Sequence, residues 1–331
     1  MVNEENQQIY SPEEIKKMKE RGLYTSDNEK SFKPENKIKR ELALKGELPV
    51  FETPIPEKKD IYYWNERMAS RQEQYQETVP HKENNVSISF KDDIIVNFIG
   101  DIHAGSPNTD YKRVAQELEV IVNTPESYVI LGGDLIDGFF FNPAQFEQIE
   151  QTPEQIAYMH SLIDFLAENK RLLVGFGGDH DLDWPSKSGS NPYYDFPQKT
   201  GAYYMHGVGF ITLNVGEVSY KLTGAHRLAG HSMYNNVHPE MRLAKTVQGS
   251  DIYFGLHTHQ KGHAQQATKM FGNEDKLVTY ISVGPYKSED GYSRKKGWAR
   301  QTPREMYGSA IKLSSKDFYI QYFEDILEAN S

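Results

Sequence analysis

Cysteine is absent from all 331 residues. No disulfide framework, thiolate zinc site or thiol nucleophile can therefore be built from this chain. A basic surplus is missing too. The 37 Lys and Arg residues stand against 47 Asp and Glu, for a formal net charge of -10, which argues against a uniformly basic nucleic-acid binder. Long apolar runs are also lacking. Stretches such as "IIVNFIG" are far too short to cross a bilayer, so no membrane partner is expected. The opening "MVNEENQQIYSPEEIKKMKE" has no apolar centre of the kind a secretory signal needs, and together with the missing cysteine it predicts a cytoplasmic protein. Mean hydropathy is -0.69, so polar segments must sit beside the part that forms the core.

Residues 1–85 are rich in Glu, Lys, Gln and Asn, and read as a helical N-terminal extension or small module. "SPEEIKKMKERG" has the marks of a helix: Ser11 to cap it, Pro12 in the first turn and Gly22 at its end. "KIKRELALKG" and "IYYWNERMASRQEQYQ" are further helix candidates, separated by the proline-bearing "LPVFETPIPEKK". Residues 16–45 hold ten basic side chains against five acidic ones. A solvated helical face accounts for this pattern; an arm for nucleic acid or a partner is the alternative, and the N-terminal helices as a whole are candidates for oligomerisation or partner docking. From residue 86 to 331 the texture is that of an α/β domain. "VSISF" and "DIIVNFIGD" read as a hairpin, strands and helices then alternate, and beyond residue 200 strands dominate.

Three successive strands end alike, in "FIGDIHAG", "ILGGDLIDG" and "GFGGDHD". In open α/β sheets the carboxyl ends of strands face the ligand crevice, and ionisable groups placed there are costly unless paired. These ends deliver Asp101, His103, Asp134, Asp137, Asp179, His180 and Asp181. Two later strands add His226 in "LTGAHRLAGHS" and His257 with His259 in "YFGLHTHQKG". Mixed imidazole and carboxylate donors suit Mn, Fe or Zn, whereas Ca and Mg favour oxygen alone. Asp101, His103, Asp134, Asp179, His226, His257 and His259 are too many donors for one ion. Two divalent ions about 3.5–4 Å apart, sharing a carboxylate, would use them all.

The series "GDIHAG", "GGDLIDG", "GGDHD", "GAH" and "GLHTH" resembles the calcineurin-like metallophosphoesterase superfamily over roughly residues 94–325, with a look similar to its bacteriophage-encoded members. The resemblance implies a four-layer α/β/β/α sandwich holding two ions, Mn first, with Fe and Zn as alternatives. Asp101, His103, Asp134 and His259 would hold one ion. Asp134, Asp179, His226 and His257 would hold the other, with Asp134 as the bridge. The family's third motif carries Asn where this chain has Asp179. The carboxylate adds a charge and removes an amide donor, which places substrate preference in question more than metal binding. His180 is the expected proton donor to the leaving oxygen, and Asp181 is expected to orient its imidazole. Asp137 reads as a structural hydrogen-bonding residue.

"GPYKSEDGYSRKKGWARQTPREMYG" interleaves Lys287, Arg294, Lys295, Lys296, Arg300 and Arg304 with Tyr286, Tyr292, Trp298 and Tyr307. Cations among aromatics suit a phosphate backbone with stacked bases. Lys287, Arg294, Lys295, Lys296 and Trp298 are therefore candidate substrate contacts. His231 is either a further contact or a substitute ligand for His226. The sequence predicts a metal-dependent hydrolase of phosphate esters, first of all a phosphodiesterase or nuclease acting on nucleic acid or a nucleotide. A phosphomonoesterase or protein phosphatase, and a catalytically weakened fold serving as a structural subunit, are the alternatives.

Overall fold

A computed structural model describes residues 60–78, 84–138, 146–182, 202–268 and 276–331. The chain divides into two units, residues 1–80 and 81–331. Of the first, helix α1 (Ile61–Thr78) is described, and it exposes Ile61, Tyr62, Trp64 and Met68. The helices expected near residues 11–22 and 37–46, and the aromatic stretches "FFFNPAQ" and "DWPSKSGSNPYYDF", lie outside the described residues. No helix among the described residues is long and apolar enough to cross a membrane.

The second unit is built on two six-stranded mixed sheets. One contains β2 (Ile94–Ile99), β3 (Ser127–Leu131), β4 (Leu172–Phe176) and β5 (Tyr203–Met205), all parallel, with β11 (Ser309–Leu313) antiparallel beside β2 and β12 (Ile320–Phe323) antiparallel to β11. Its order is β12-β11-β2-β3-β4-β5. The other sheet has the order β1-β6-β7-β8-β10-β9, from β1 (Asn85–Phe90), β6 (Gly209–Val215), β7 (Val218–Ala225), β8 (Ile252–Gly255), β9 (Gly262–Thr268) and β10 (Lys276–Ser282). Within it β7, β8 and β10 run parallel.

Strand alternation decides the layering, because successive side chains point to opposite faces. Ile94, Val96 and Phe98 of β2 join Leu213, Leu222, Ile252 and Phe254 in a core between the sheets. Phe254 sits 5.0 Å from Phe98 and 5.6 Å from Phe176 by ring centroids. The opposite face, with Ile99, Val129 and Leu131, packs on α2 (Tyr111–Asn123), α3 (Thr152–Glu168) and α6 (Ile326–Ala329). Tyr253, Val278 and Tyr280 turn the other way, onto α4 (His238–Thr246). The result is four layers, α/β/β/α, as the resemblance implied.

One expectation fails. β1 and β2 do not form a hairpin: β1 pairs parallel with β6, and β2 lies in the other sheet between β11 and β3. The burial patterns give the reason. β1 alternates between exposed and half-buried positions, as an edge strand does, whereas β2 is covered on both faces. The short polar turn between them crosses from one sheet to the other.

Helix α4 buries an incompletely paired carboxyl group. Glu240 is buried and its Oε2 has no hydrogen-bond partner. Burial pushes this carboxyl up to about 8. A group that ionises at higher pH folded than unfolded costs stability as pH rises between those two values, here from about 4.5 to about 8. Glu240→Gln should therefore gain stability over the wild type progressively from pH 5 to pH 8, by at most roughly 5 kcal/mol. Urea unfolding at both pH values measures this, and a difference that does not grow with pH would rule it out.

Candidate metal centre

The centre is assembled from the carboxyl ends of strands in both sheets. Asp101 and His103 follow β2, Asp134 and Asp137 follow β3, and Asp179 to Asp181 follow β4. From the facing sheet come His226 at the end of β7, and His257 with His259 after β8. Backbone ties hold the first two loops together: Asp101 N–H donates to the Gly133 carbonyl and His103 N–H to that of Asp134, each at 2.9 Å.

Five of these residues adopt left-handed backbone. Asp101, His103, Asp134, His257 and His259 have φ of 48°, 52°, 49°, 68° and 54°. Such conformations cost roughly 1–3 kcal/mol each for non-glycine residues and persist where surrounding structure imposes them. Here they accompany the turns by which the chain leaves the strands and delivers Asp101, His103, His257 and His259 to one cluster. Gly178 explains the second glycine of "GGDHD". A Cβ there would lie 1.9 Å from the Asp134 amide nitrogen and 2.2 Å from its Oδ1. Only a bare backbone lets the third loop close on the second.

The ligand atoms converge in three overlapping groups, in each of which they lie within 4.8 Å of one another: Asp101, His103 and His259; His103, Asp134 and His180; Asp134, His226 and His257. Asp134 Oδ2 stands between two imidazoles, 3.1 Å from His226 Nε2 and 3.9 Å from His103 Nε2. His103 Nε2 also lies 3.1 Å from His259 Nε2, and His259 Nε2 is 3.5 Å from Asp101 Oδ1.

Two observations show that this set fits a divalent cation. Asp101 Oδ1 is buried without a hydrogen-bond partner, and His226 Nε2 makes no well-directed hydrogen bond although Asp134 Oδ2 lies 3.1 Å away, which in a folded interior requires an explanation. The second nitrogen of each inner histidine is also committed elsewhere: His103 Nδ1 lies 3.1 Å from Asp137 Oδ1, and His226 Nδ1 lies 2.8 Å from the Gly132 carbonyl oxygen. Such bonds place the proton on Nδ1 and turn Nε2 inward as a donor to a metal.

The electrostatics agree. Burial alone would raise Asp134, yet the His226, His180 and His103 imidazoles hold it well below the usual carboxylate range. Burial and the Lys287 ammonium push His103 down to about 4, so its imidazole is neutral at pH 7. Burial also lowers His226, but Asp134 and then Asp101 outweigh it and carry this imidazole to about 10. A cation bound at His226 would take the place of that proton.

The other expected residues divide. His180 donates its amide to Asp134 Oδ1 at 2.8 Å, and its Nδ1 lies 2.5 Å from the Asp137 carbonyl oxygen, so chemistry falls to Nε2. Asp179 is at the rim, its carboxylate 2.7 Å from Arg227 Nη1 and 3.6 Å from His257 Nδ1. Sequence reasoning missed Arg227; its place directly after His226 was the available signal. The Asp181 carboxylate accepts the amides of Ile136 and Gly178 at 3.0 and 3.2 Å, pinning two loops beside His180. His231 is exposed, and His226 is the histidine in the cluster. Arg294, Lys295, Lys296 and Trp298 are exposed, but Lys287 is 3% exposed and faces inward. Its ammonium is drawn there by Asp137 and Asp290, each at 2.7 Å.

No protein-family model matches the chain, and no curated protein does either. The chain is similar in structure to calcineurin-like phosphoesterases and metallophosphoesterases. One is the calcineurin-like phosphoesterase YfkN of Bacillus subtilis, 12% identical, with 72% of this chain and 92% of that one covered, at a TM-score of 0.39. Another is a metallophosphoesterase of Sphaerobacter thermophilus, 12% identical over 70% of this chain and 87% of that one, at 0.32. A third is the nuclease MPE of Pseudomonas putida, 13% identical over 69% and 87%, at 0.30. Likenesses this distant assign no activity.

Asp134 touches both sides of the cluster, so Asp134→Ala should abolish tight binding of ions at the centre altogether. Elemental analysis and calorimetry with Mn2+ measure this. Wild-type stoichiometry and affinity in the variant would refute the assignment.

Proposed function

We propose that this protein is a metal-dependent phosphoester hydrolase that holds two divalent ions, Mn foremost, and acts on phosphodiesters, with nucleic acid as the substrate class. The observation that carries the reading is the position of Asp134 Oδ2 between His226 and His103, a carboxylate set to be shared by two sites. Bound divalent ions supply the activation of water and the neutralisation of phosphate oxygens.

The chain's own residues account for the remainder. His103 and His226 are oriented by Asp137 and by the Gly132 carbonyl, as described above. Burial lowers His180, but Asp134 and the Asp137 carbonyl outweigh it and raise the imidazole above its usual value. It is thus a suitable donor of a proton from Nε2 to the leaving oxygen. Arg227 stands exposed at the rim beside Asp179, where a guanidinium can meet a phosphate oxygen.

The preference for a nucleic-acid diester rests on the segment after β10. There Asp290 caps the short helix α5 (Gly291–Lys295) by accepting the Ser293 amide. Tyr292 and Trp298 meet edge to face at 5.8 Å, and Lys296 Nζ lies 5.5 Å from the Tyr292 ring centre. Glu147 accepts from Gly291 N–H and from Arg294, and its neighbour Phe146 is exposed. Exposed rings among cations suit bases stacked along a phosphate chain.

Hydrolysis of a chromogenic diester and of its matching monoester, each with Mn2+ and with EDTA, tests the activity. Diester cleavage that requires Mn2+ is expected. Cleavage of the monoester alone would make the protein a phosphomonoesterase, and cleavage unaffected by EDTA would overturn the metal reading. Trp298→Ala should raise KM for a single-stranded oligonucleotide by about tenfold and leave KM for the small diester unchanged. Equal effects on both would remove Trp298 from substrate binding.

A further inference from the structure

A lysine that is 3% exposed needs a reason to be charged where it is. Replacing a buried ion pair by apolar groups of similar volume often costs nothing. Lys287 stands between two carboxylates that belong to different parts of the molecule. Its Nζ lies 2.7 Å from Asp137 Oδ1, the same oxygen that lies 3.1 Å from His103 Nδ1. It also lies 2.7 Å from Asp290 Oδ2, on the residue whose other oxygen caps α5 through the Ser293 amide.

The backbone around Lys287 is laced to the metal loop. Tyr286 N–H donates to the Asp101 carbonyl at 3.0 Å, Asp110 N–H donates to the Tyr286 carbonyl at 3.0 Å, and Ser288 N–H donates to the Asn108 carbonyl at 3.1 Å. Lys287 itself forms an isolated bridge with Thr109. The ammonium is therefore registered against Asp101 and His103 by main chain as well as by charge.

We infer that Lys287 is a positioning residue: its ammonium holds the Asp137 carboxylate on His103 Nδ1 and, through Asp290, locks the α5 segment to the metal centre. This role rests on the reading of the centre given above. It differs from a substrate contact, because Lys287 acts through Asp137 and Asp290. Loss of the ammonium leaves Asp137 without the cation 2.7 Å from its Oδ1, and the bond that fixes the His103 proton on Nδ1 loses its support.

The test is a double-mutant cycle of Lys287→Met and Asp137→Asn in the full chain, with Lys287→Arg as the conservative variant. Mn2+ affinity is read by calorimetry, kcat and KM with the small diester, and the His103 tautomer by 15N NMR of the metal-free protein. K287M is expected to weaken Mn2+ binding or lower kcat by about 10–100-fold, with KM little changed. K287R should recover most of the loss, and the double variant should be no worse than D137N alone. The wild type should show His103 protonated on Nδ1, and K287M a mixture of tautomers. Where K287M does not fold, K287Q takes its place with the same expected direction. An unchanged tautomer with wild-type Mn2+ affinity, or effects of K287M and D137N that multiply, would overturn the role of Lys287. A wild type that neither binds Mn2+ nor cleaves an ester would instead overturn the functional reading, and the NMR comparison would still judge Lys287.

Discussion

A carboxylate ringed by imidazoles, Asp134 among His103, His180 and His226, is the constraint on which the rest of this site depends. A charge so deeply buried is tolerable only where partners surround it. Those partners arrive from both sheets: His103 and His180 follow strands of one, and His226 ends a strand of the other. The two sheets must therefore bring their carboxyl ends to a common edge. The layering follows from apolar alternation, and the site occupies the edge where the layers bring polar loops together.

Around that centre the polar groups are arranged in successive shells of decreasing burial. Asp101, His103, Asp134 and His226 are almost wholly buried. His257 and His259 are about a third and a quarter exposed, and Asp179 more so, with Arg227 beside it. The inner members are held by fixed hydrogen bonds to Asp137 and Gly132, whereas the outer ones are partly open to solvent. Rigidity and access are thus divided between residues that are neighbours in sequence: His226 is buried and Arg227 is exposed.

Much of this was legible in the sequence. Repeated strand ends rich in Gly, Asp and His located the site, and alternating β and α segments indicated one of the sheets. What escaped notice was decided by partners distant along the chain. The strand pair 85–99 resembled a hairpin because a polar turn joins two apolar runs, and nothing local says that β1 prefers β6. Lys287 looked like one more cation in a basic loop, since only the fold reveals Asp137 and Asp290 on either side of it. In the sequence Asp181 reads only against its neighbour His180, and the fold reveals that its carboxylate also accepts the amides of Ile136 and Gly178. The strand β9, "GHAQQAT", lacks apolar alternation and owes its existence to pairing with β10.

The spread of the ligands along the chain has a mechanical meaning. Asp101 and His259 are separated by more than half of the second unit's sequence and belong to different sheets, yet their donor atoms lie 3.5 Å apart. An ion held by both would staple the sandwich together, opposing any sliding of one sheet over the other. Its binding free energy is then shared by the whole unit, much as a disulfide closing a long loop would share its own, in a chain that has no cysteine with which to make one.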